Sequence, residues 1–195
     1  MRFSSQKYFG IKAIVIALSI VTGSGIAYYF AHAGQQATSA ESTISSLVQA
    51  RDLTDVHNLF KKDWYWLSAR DYTADHVNWM VTTGSPNEYE PEYFGKMKFK
   101  VLREGNKFIG FTAYYMKNFY HGTVLFLATE PEMRSKGYGY QLLMAAIQDL
   151  FDQGAQKVTL VARENNTRAR KFYARSGLTE GAIHNGFVEF KIEKK

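Results

Sequence analysis

Three strand signals follow one another between residues 98 and 129 with no helical pattern between them, so this stretch of chain has to build antiparallel sheet. They are Lys98–Arg103 (KFKVLR), Phe108–Met116 (FIGFTAYYM) and Thr123–Thr129 (TVLFLAT). Glu104-Gly105-Asn106 supplies a hairpin turn between the first two, and Asn118–Gly122 joins the second to the third. Helical periodicity then returns over Tyr138–Phe151, where Tyr138, Leu142, Ala145 and Leu150 belong to one broad apolar face. Lys157–Ala162 (KVTLVA) reads as a short buried strand, a helix from about Thr167 to Ser176 stops at Gly177, and a last strand lies in Phe187–Ile192. A strand, a helix and a further strand in that order require a crossover, which brings parallel pairing into the sheet.

Upstream, Ile44–Ala50 is a strand candidate, and Asp52 is placed to cap a helix running through about Ser68 with Val56, Leu59 and Phe60 on its apolar side. A second helix spans about Thr73 to Met80, with Asp75 near its start and Gly84 beyond its end. Ser85–Phe94 (SPNEYEPEYF) is an acidic loop. The order βααβββαβαβ predicts a mixed sheet with helices on its faces, in the α+β or α/β class. No internal repeat is visible.

A chain of 195 residues holds one ordinary domain and a short appendage. The lack of cysteine excludes a disulfide scaffold, a zinc finger, an iron–sulfur protein and a thiol nucleophile. Of the net charge of +6, Arg2, Lys7 and Lys12 account for three; the +3 left downstream is too mild for a nucleic-acid groove. Those cations precede residues 13–31, an uncharged apolar run closing on Tyr28, Tyr29 and Phe30. The run is long enough to span a membrane, and Ala31-His32-Ala33 also has the small-x-small form of a signal cleavage site. The chain therefore divides into an anchor or signal peptide over 1–33, a polar linker over 34–43 and a folded domain over 44–195. The positive flank keeps the N-terminus cytoplasmic and places the domain on the far side, as a single-pass membrane protein or, after cleavage near Ala33, secreted or periplasmic.

The segment that carries chemistry is Glu130-Pro131-Glu132-Met133-Arg134-Ser135-Lys136-Gly137-Tyr138-Gly139, between an apolar strand and an amphipathic helix. Gly137 and Gly139 let successive amides converge on one concavity, the helix adds its positive end, and Arg134 and Lys136 add two charges. Such a turn suits a pyrophosphate. A dinucleotide-binding turn is the rival reading, and it fits less well, because Leu142 stands where its third glycine belongs and antiparallel hairpin signals replace the repeated βαβ units. No H-E-x-x-H, G-x-S-x-G or Walker lysine loop occurs, and the histidines are scattered.

Some thirty residues on comes Asn166-Thr167-Arg168-Ala169-Arg170-Lys171-Phe172-Tyr173-Ala174-Arg175-Ser176-Gly177. With the R-x-x-G-x-G turn, this N-x-x-A-x-x-F-Y-x-x-x-G string resembles the GNAT superfamily of acyl-CoA-dependent N-acetyltransferases, over about 44–195 in element order and 124–178 in motif detail. The resemblance implies a central mixed sheet of six to seven strands flanked by about four helices. It also implies acetyl-CoA or another acyl-CoA as co-substrate, no metal, and an amine on a small molecule or protein as acceptor. It assigns the pantetheine arm to the backbone of Leu127, Ala128 and Thr129, and the pyrophosphate to Arg134, Ser135, Lys136, Gly137, Tyr138 and Gly139. Asn166 takes the place of the residue that bonds the cofactor arm, and Tyr173 that of the acid that protonates the departing thiolate. Packing is the competing account of Tyr173, as a solvated face is for Arg168, Lys171 and Arg175, which share one side of their helix and otherwise meet nucleotide phosphates.

The departure from the family pattern is the base, since TVLFLAT carries no carboxylate. Glu130, immediately after that strand, is the first candidate, with surface solvation as its alternative. His121, Asp71, Asp75 and His76 are others. On the acceptor side, Trp64, Tyr65, Trp66, Tyr72 and Trp79 lie in the same region as Glu88, Glu90 and Glu92, a combination suited to an amine cation or, for the tryptophans, to a core. The activity expected is direct acyl transfer to an amine. The alternative is a catalytically silent, membrane-tethered acyl-CoA-binding or partner-binding module. An exported domain and an intracellular donor stand in conflict.

Overall fold

The computed structural model describes residues 41–85 and 96–195, so the leader and the acids Glu88, Glu90 and Glu92 lie outside the described residues. The elements are β1 (Ser42–Ser46), α1 (Gln49–Leu67), α2 (Ala74–Thr83), β2 (Lys98–Glu104), β3 (Lys107–Asn118) and β4 (His121–Thr129). They continue through a short 3-10 turn (Pro131–Met133), α3 (Tyr138–Asp152), β5 (Lys157–Arg163), α4 (Thr167–Arg175), β6 (Thr179–His184) and β7 (Phe187–Glu193). The strands form one sheet in the order β1-β2-β3-β4-β5-β7-β6. Neighbours run antiparallel except β4 and β5, the parallel pair that α3 connects. Among the described residues this is a mixed α+β sheet of seven strands with four helices.

Helices cover both faces, and β3 shows it in its sequence. Nine consecutive residues, Phe108 to Met116, are buried. Phe111, Ala113 and Tyr115 pack with Val56, Leu59 and Phe60 of α1 and Val77 and Met80 of α2. Tyr114 and Met116 pack with Leu143, Ile147 and Leu150 of α3. Alternation sends successive side chains to opposite faces, so a strand covered on both sides reads as an unbroken apolar run. At the centre of the first face the Phe60 ring lies 4.7 Å from that of Phe111 and 4.9 Å from that of Phe126. Each such buried ring contributes about 1.5–3 kcal/mol. Trp64 is part of this core, its Nε1 donating to the Arg70 carbonyl at 2.5 Å.

Three sequence expectations need correction. The first strand lies at Ser42–Ser46, short of Ile44–Ala50, because α1 already begins at Gln49. Asp52 is not the cap: Val48 is, and Asp52 sits inside the helix, fully buried, accepting from the Val48 amide at 2.8 Å, Arg51 Nε at 2.7 Å and Arg103 Nε at 2.9 Å. Burial works to raise the Asp52 carboxyl, but Arg51, the Val48 amide and Arg103 outweigh it and hold it below its ordinary value. Arg103 also donates to the Asn106 carbonyl at 2.7 Å, tying the start of α1 to the β2–β3 hairpin. Finally, β6 has no counterpart among the predicted elements. It is an edge strand with all six residues exposed, joined to β7 by an Asn185-Gly186 turn with φ of 50° and 78°. Without a buried face it carries no apolar alternation.

Candidate active site

The site begins where two parallel strands stop pairing. β4 and β5 are in register only over His121–Thr123 against Lys157–Thr159. Beyond that the far edge of β4 stays bonded to β3 and that of β5 to β7, while their facing edges part. Main-chain amides and carbonyls on those edges are left for another partner, as at any sheet edge. A cavity of about 390 Å³ fills the gap, walled by Leu127, Ala128 and Thr129 of β4 and by Leu160, Val161 and Ala162 of β5.

The turn from β4 to α3 closes one end. Ser135 and Gly137 have φ of 63° and 88°, and the α3 ladder starts with the Gln141 amide bonded to the Gly137 carbonyl at 3.2 Å. The amides of Tyr138, Gly139 and Tyr140 thus have no carbonyl one turn back, and no side chain caps this helix. Ser135, Gly137 and Gly139 stand on the cavity wall beside them. The positive helix end and the amides left over at it give this turn the chemistry to attract an anion.

The predicted residues separate here. Arg134 lines the cavity, with Nε donating to the Thr129 carbonyl at 3.2 Å and its terminal nitrogen to Asp63. Lys136 and Tyr138 are not on the wall. The Lys136 ammonium lies 3.7 Å from Met133 Sδ, and the Tyr138 hydroxyl donates to Glu104, which raises its pKa. Of these two only the main chain takes part in the turn. Glu130 is also off the wall, with Oε2 accepting from Lys62 Nζ at 2.7 Å.

On the other wall, Asn166 caps α4, its Oδ1 accepting from the Ala169 amide at 3.1 Å, so its NH2 is the group left for the cavity. Tyr173 lines the cavity too, wedged between the Phe172 and Phe190 rings with centroids at 5.1 and 5.3 Å. Its hydroxyl bonds to no described protein group, and no buried side-chain polar atom among the described residues lacks a partner. The hydroxyl therefore opens on the cavity. Burial pushes its pKa up to about 12, which keeps it protonated through the neutral range. Packing and cavity exposure, set as alternatives by the sequence, coexist in this residue. Arg168 and Arg175 line the cavity as well; Lys171 does not.

His121 sits at the closed end, Nε2 2.8 Å from Thr159 Oγ1, and burial, with Lys157 and Lys117 nearby, depresses its pKa. His121, Asp71, Asp75 and His76 are all absent from the wall. Sequence reasoning passed over Asp63, which with Trp66 and Leu67 brings α1 to the cavity. Their spacing of three and four residues is the one signal that these side chains share a helix face. Arg163 holds this end of α1, donating to the carbonyls of Tyr65 and, at 2.7 Å, Ser68, with its guanidinium 4.2 Å from the Tyr65 ring centroid. Among the described residues there is no group of three or more His, Asp or Glu placed to hold a metal, and no helix long and apolar enough to cross a membrane.

The family model described as "Acetyltransferase (GNAT) family" matches residues 53–178. The chain is 35% identical over 97 residues to a Bacillus subtilis (strain 168) protein described as uncharacterized N-acetyltransferase YhfO, an alignment spanning 46% of this chain and 62% of that one, less than two thirds of the relative's length. Among solved structures it is similar to the PaiA N-acetyltransferase of Thermoplasma acidophilum in complex with coenzyme A, with 16% identity, 79% of this chain and 99% of that one covered, and a TM-score of 0.60. A Bacillus subtilis acetyltransferase in complex with CoA gives 14% identity, 80% and 100% coverage and a TM-score of 0.59. At these identities the structures speak for the fold.

Proposed function

The chain belongs to the GNAT acetyltransferase family, and from that premise we propose that it transfers an acetyl or other acyl group from its CoA thioester to a primary amine by direct attack. The observation that carries this reading is the parting of β4 and β5 beside a turn of free helix amides. An arm bearing amides matches the unpaired strand edges, and a diphosphate matches the turn.

In this reading the main chain of Leu127, Ala128 and Thr129 holds the pantetheine arm as an added strand. The amides of Ser135 to Gly139 and the Arg134 guanidinium hold the pyrophosphate, and the Asn166 NH2 donates to a carbonyl of the arm. A main-chain amide of β4 steadies the charge that builds on the thioester oxygen. The acceptor ammonium gives one proton to solvent, and its nitrogen bonds to the thioester carbon as the carbon–sulfur bond breaks. The Tyr173 hydroxyl gives its proton to the departing sulfur and recovers one from the new amide nitrogen. A phenol with so high a pKa transfers its proton because the thiolate forms in the same apolar surroundings, which raise the basicity of both. Glu130, held by Lys62, fastens α1 to the turn in this scheme and takes no proton.

The test is release of free thiol from acetyl-CoA by the intact chain across a panel of primary amines. Amine-dependent release is expected. Binding of acetyl-CoA without release with any amine overturns the proposal in favour of a silent binding module.

A further inference from the structure

Among the described residues, those that line the cavity include three arginines, Arg134, Arg168 and Arg175, and one carboxylate, Asp63. The arginines fit the phosphates of a CoA thioester. The carboxylate has no part in that task and faces the same space from α1. Its side chain is 14% exposed and pairs through Oδ2 with Arg134, which leaves Oδ1 its remaining acceptor. Trp66, one turn further along α1, is 39% exposed and lines the cavity, and Leu67 completes the face. Asp63, Trp66 and Leu67 thus present an anion, an aromatic ring and an apolar side chain at positions i, i+3 and i+4. The far wall, with Tyr173 and Asn166, comes from α4, so α1 and α4 face each other across the gap between β4 and β5.

We infer that Asp63 is the docking point for the acceptor's ammonium group, with Trp66 beside it, and that it selects amines that arrive as cations. This rests on the transfer reaction proposed above. A carboxylate accepts charge-assisted hydrogen bonds from an ammonium, and an indole beside it adds a cation–π contact. Arg134 sets the geometry: by occupying Oδ2 it fixes the carboxylate plane and keeps a neutral pair on the wall until the cation arrives. No residue of β4 offers such a group, because His121–Thr129 contains no carboxylate.

The test titrates the intact chain, saturated with CoA, with n-butylammonium and with its uncharged isostere n-butanol. The wild type is expected to bind the cation about tenfold or more tightly than Asp63→Asn does, and n-butanol equally in both. Asparagine keeps an oxygen for Arg134 while removing the charge and turning the other acceptor into an NH2 donor, so CoA affinity is retained or raised. Asp63→Glu restores part of the cation affinity. Equal binding of the cation by wild type and Asp63→Asn, or loss of CoA affinity in step with it, overturns the inference and leaves Asp63 as a prop for Arg134. The titration involves no turnover. A wild type that binds the cation through Asp63 yet releases no thiol would refute the transfer reaction and not the docking point.

Discussion

Arg163, the last residue of β5, donates to the Ser68 carbonyl at 2.7 Å, and this bond joins the end of α1 to the strand that forms one side of the cavity. A cation at a helix C-terminus satisfies carbonyls that have no partner within the helix. Arg163→Met keeps much of the apolar stem and removes the donors. It is expected to cost about 1–2 kcal/mol of stability, read as a lower midpoint in denaturant. Because Trp66 and Leu67 lie at this end of α1, the KM for the amine should rise while the Kd for CoA changes little.

Gly137 has φ of 88°, and nothing lies within 4 Å of where its Cβ would stand. A Cβ there meets no clash, so the penalty falls on the backbone, whose positive φ an L side chain rarely adopts. Gly137→Val should destabilise the fold by about 1–2 kcal/mol and turn the amides of the α3 terminus away from their common focus. CoA affinity is then expected to fall by about tenfold or more, measurable by calorimetry on protein shown by circular dichroism to be folded.

Tyr173→Phe removes a hydroxyl that no described protein group engages, so stability should be nearly unchanged. The kcat is expected to fall about a hundredfold with little change in CoA affinity. With the Tyr173 pKa pushed up to about 12, its loss of a proton produces no falling limb in kcat below about pH 11. A wild-type kcat that falls at neutral pH through a group missing from Tyr173→Phe would contradict this.

His121 links the closed end of the two parallel strands to Thr159. Its pKa is depressed in the fold, so between that value and the ordinary imidazole value near 6.5 the unfolded chain binds more protons than the native one. Its contribution to stability is complete above about pH 6.5 and is lost as the pH falls toward the depressed pKa. The thermal midpoint should therefore drop from pH 7.5 to pH 5.5, and His121→Gln should flatten that slope.

Much of this architecture was legible in the sequence, and what escaped did so for identifiable reasons. The β2 to β4 hairpins and the β5 strand announce themselves because they are buried on at least one face and bounded by turn residues. β6 did not, since Thr179–His184 buries nothing and only its Asn185-Gly186 turn marks it. The start of α1 was misplaced because Asp52 satisfies the Val48 amide from within the helix, where composition reads it as a cap. At the site, the glycine turn was legible because Gly137 occupies a left-handed position that other residues avoid. That Ser135 adopts positive φ beside it, and that the Tyr138 side chain turns to Glu104 instead of the cavity, depends on packing between distant elements. Asp63 escaped for the same reason, since only the docking of α1 on the sheet decides which of its faces meets the gap.

The most direct test of the whole account is a calorimetric titration of the intact chain with coenzyme A. One molecule of coenzyme A per chain is expected to bind, more weakly once Gly137 is replaced by valine. A folded wild-type chain that gives no heat with coenzyme A, or binds it equally well with valine at position 137, would contradict the claim that the parted strands and the free amides of α3 form its site.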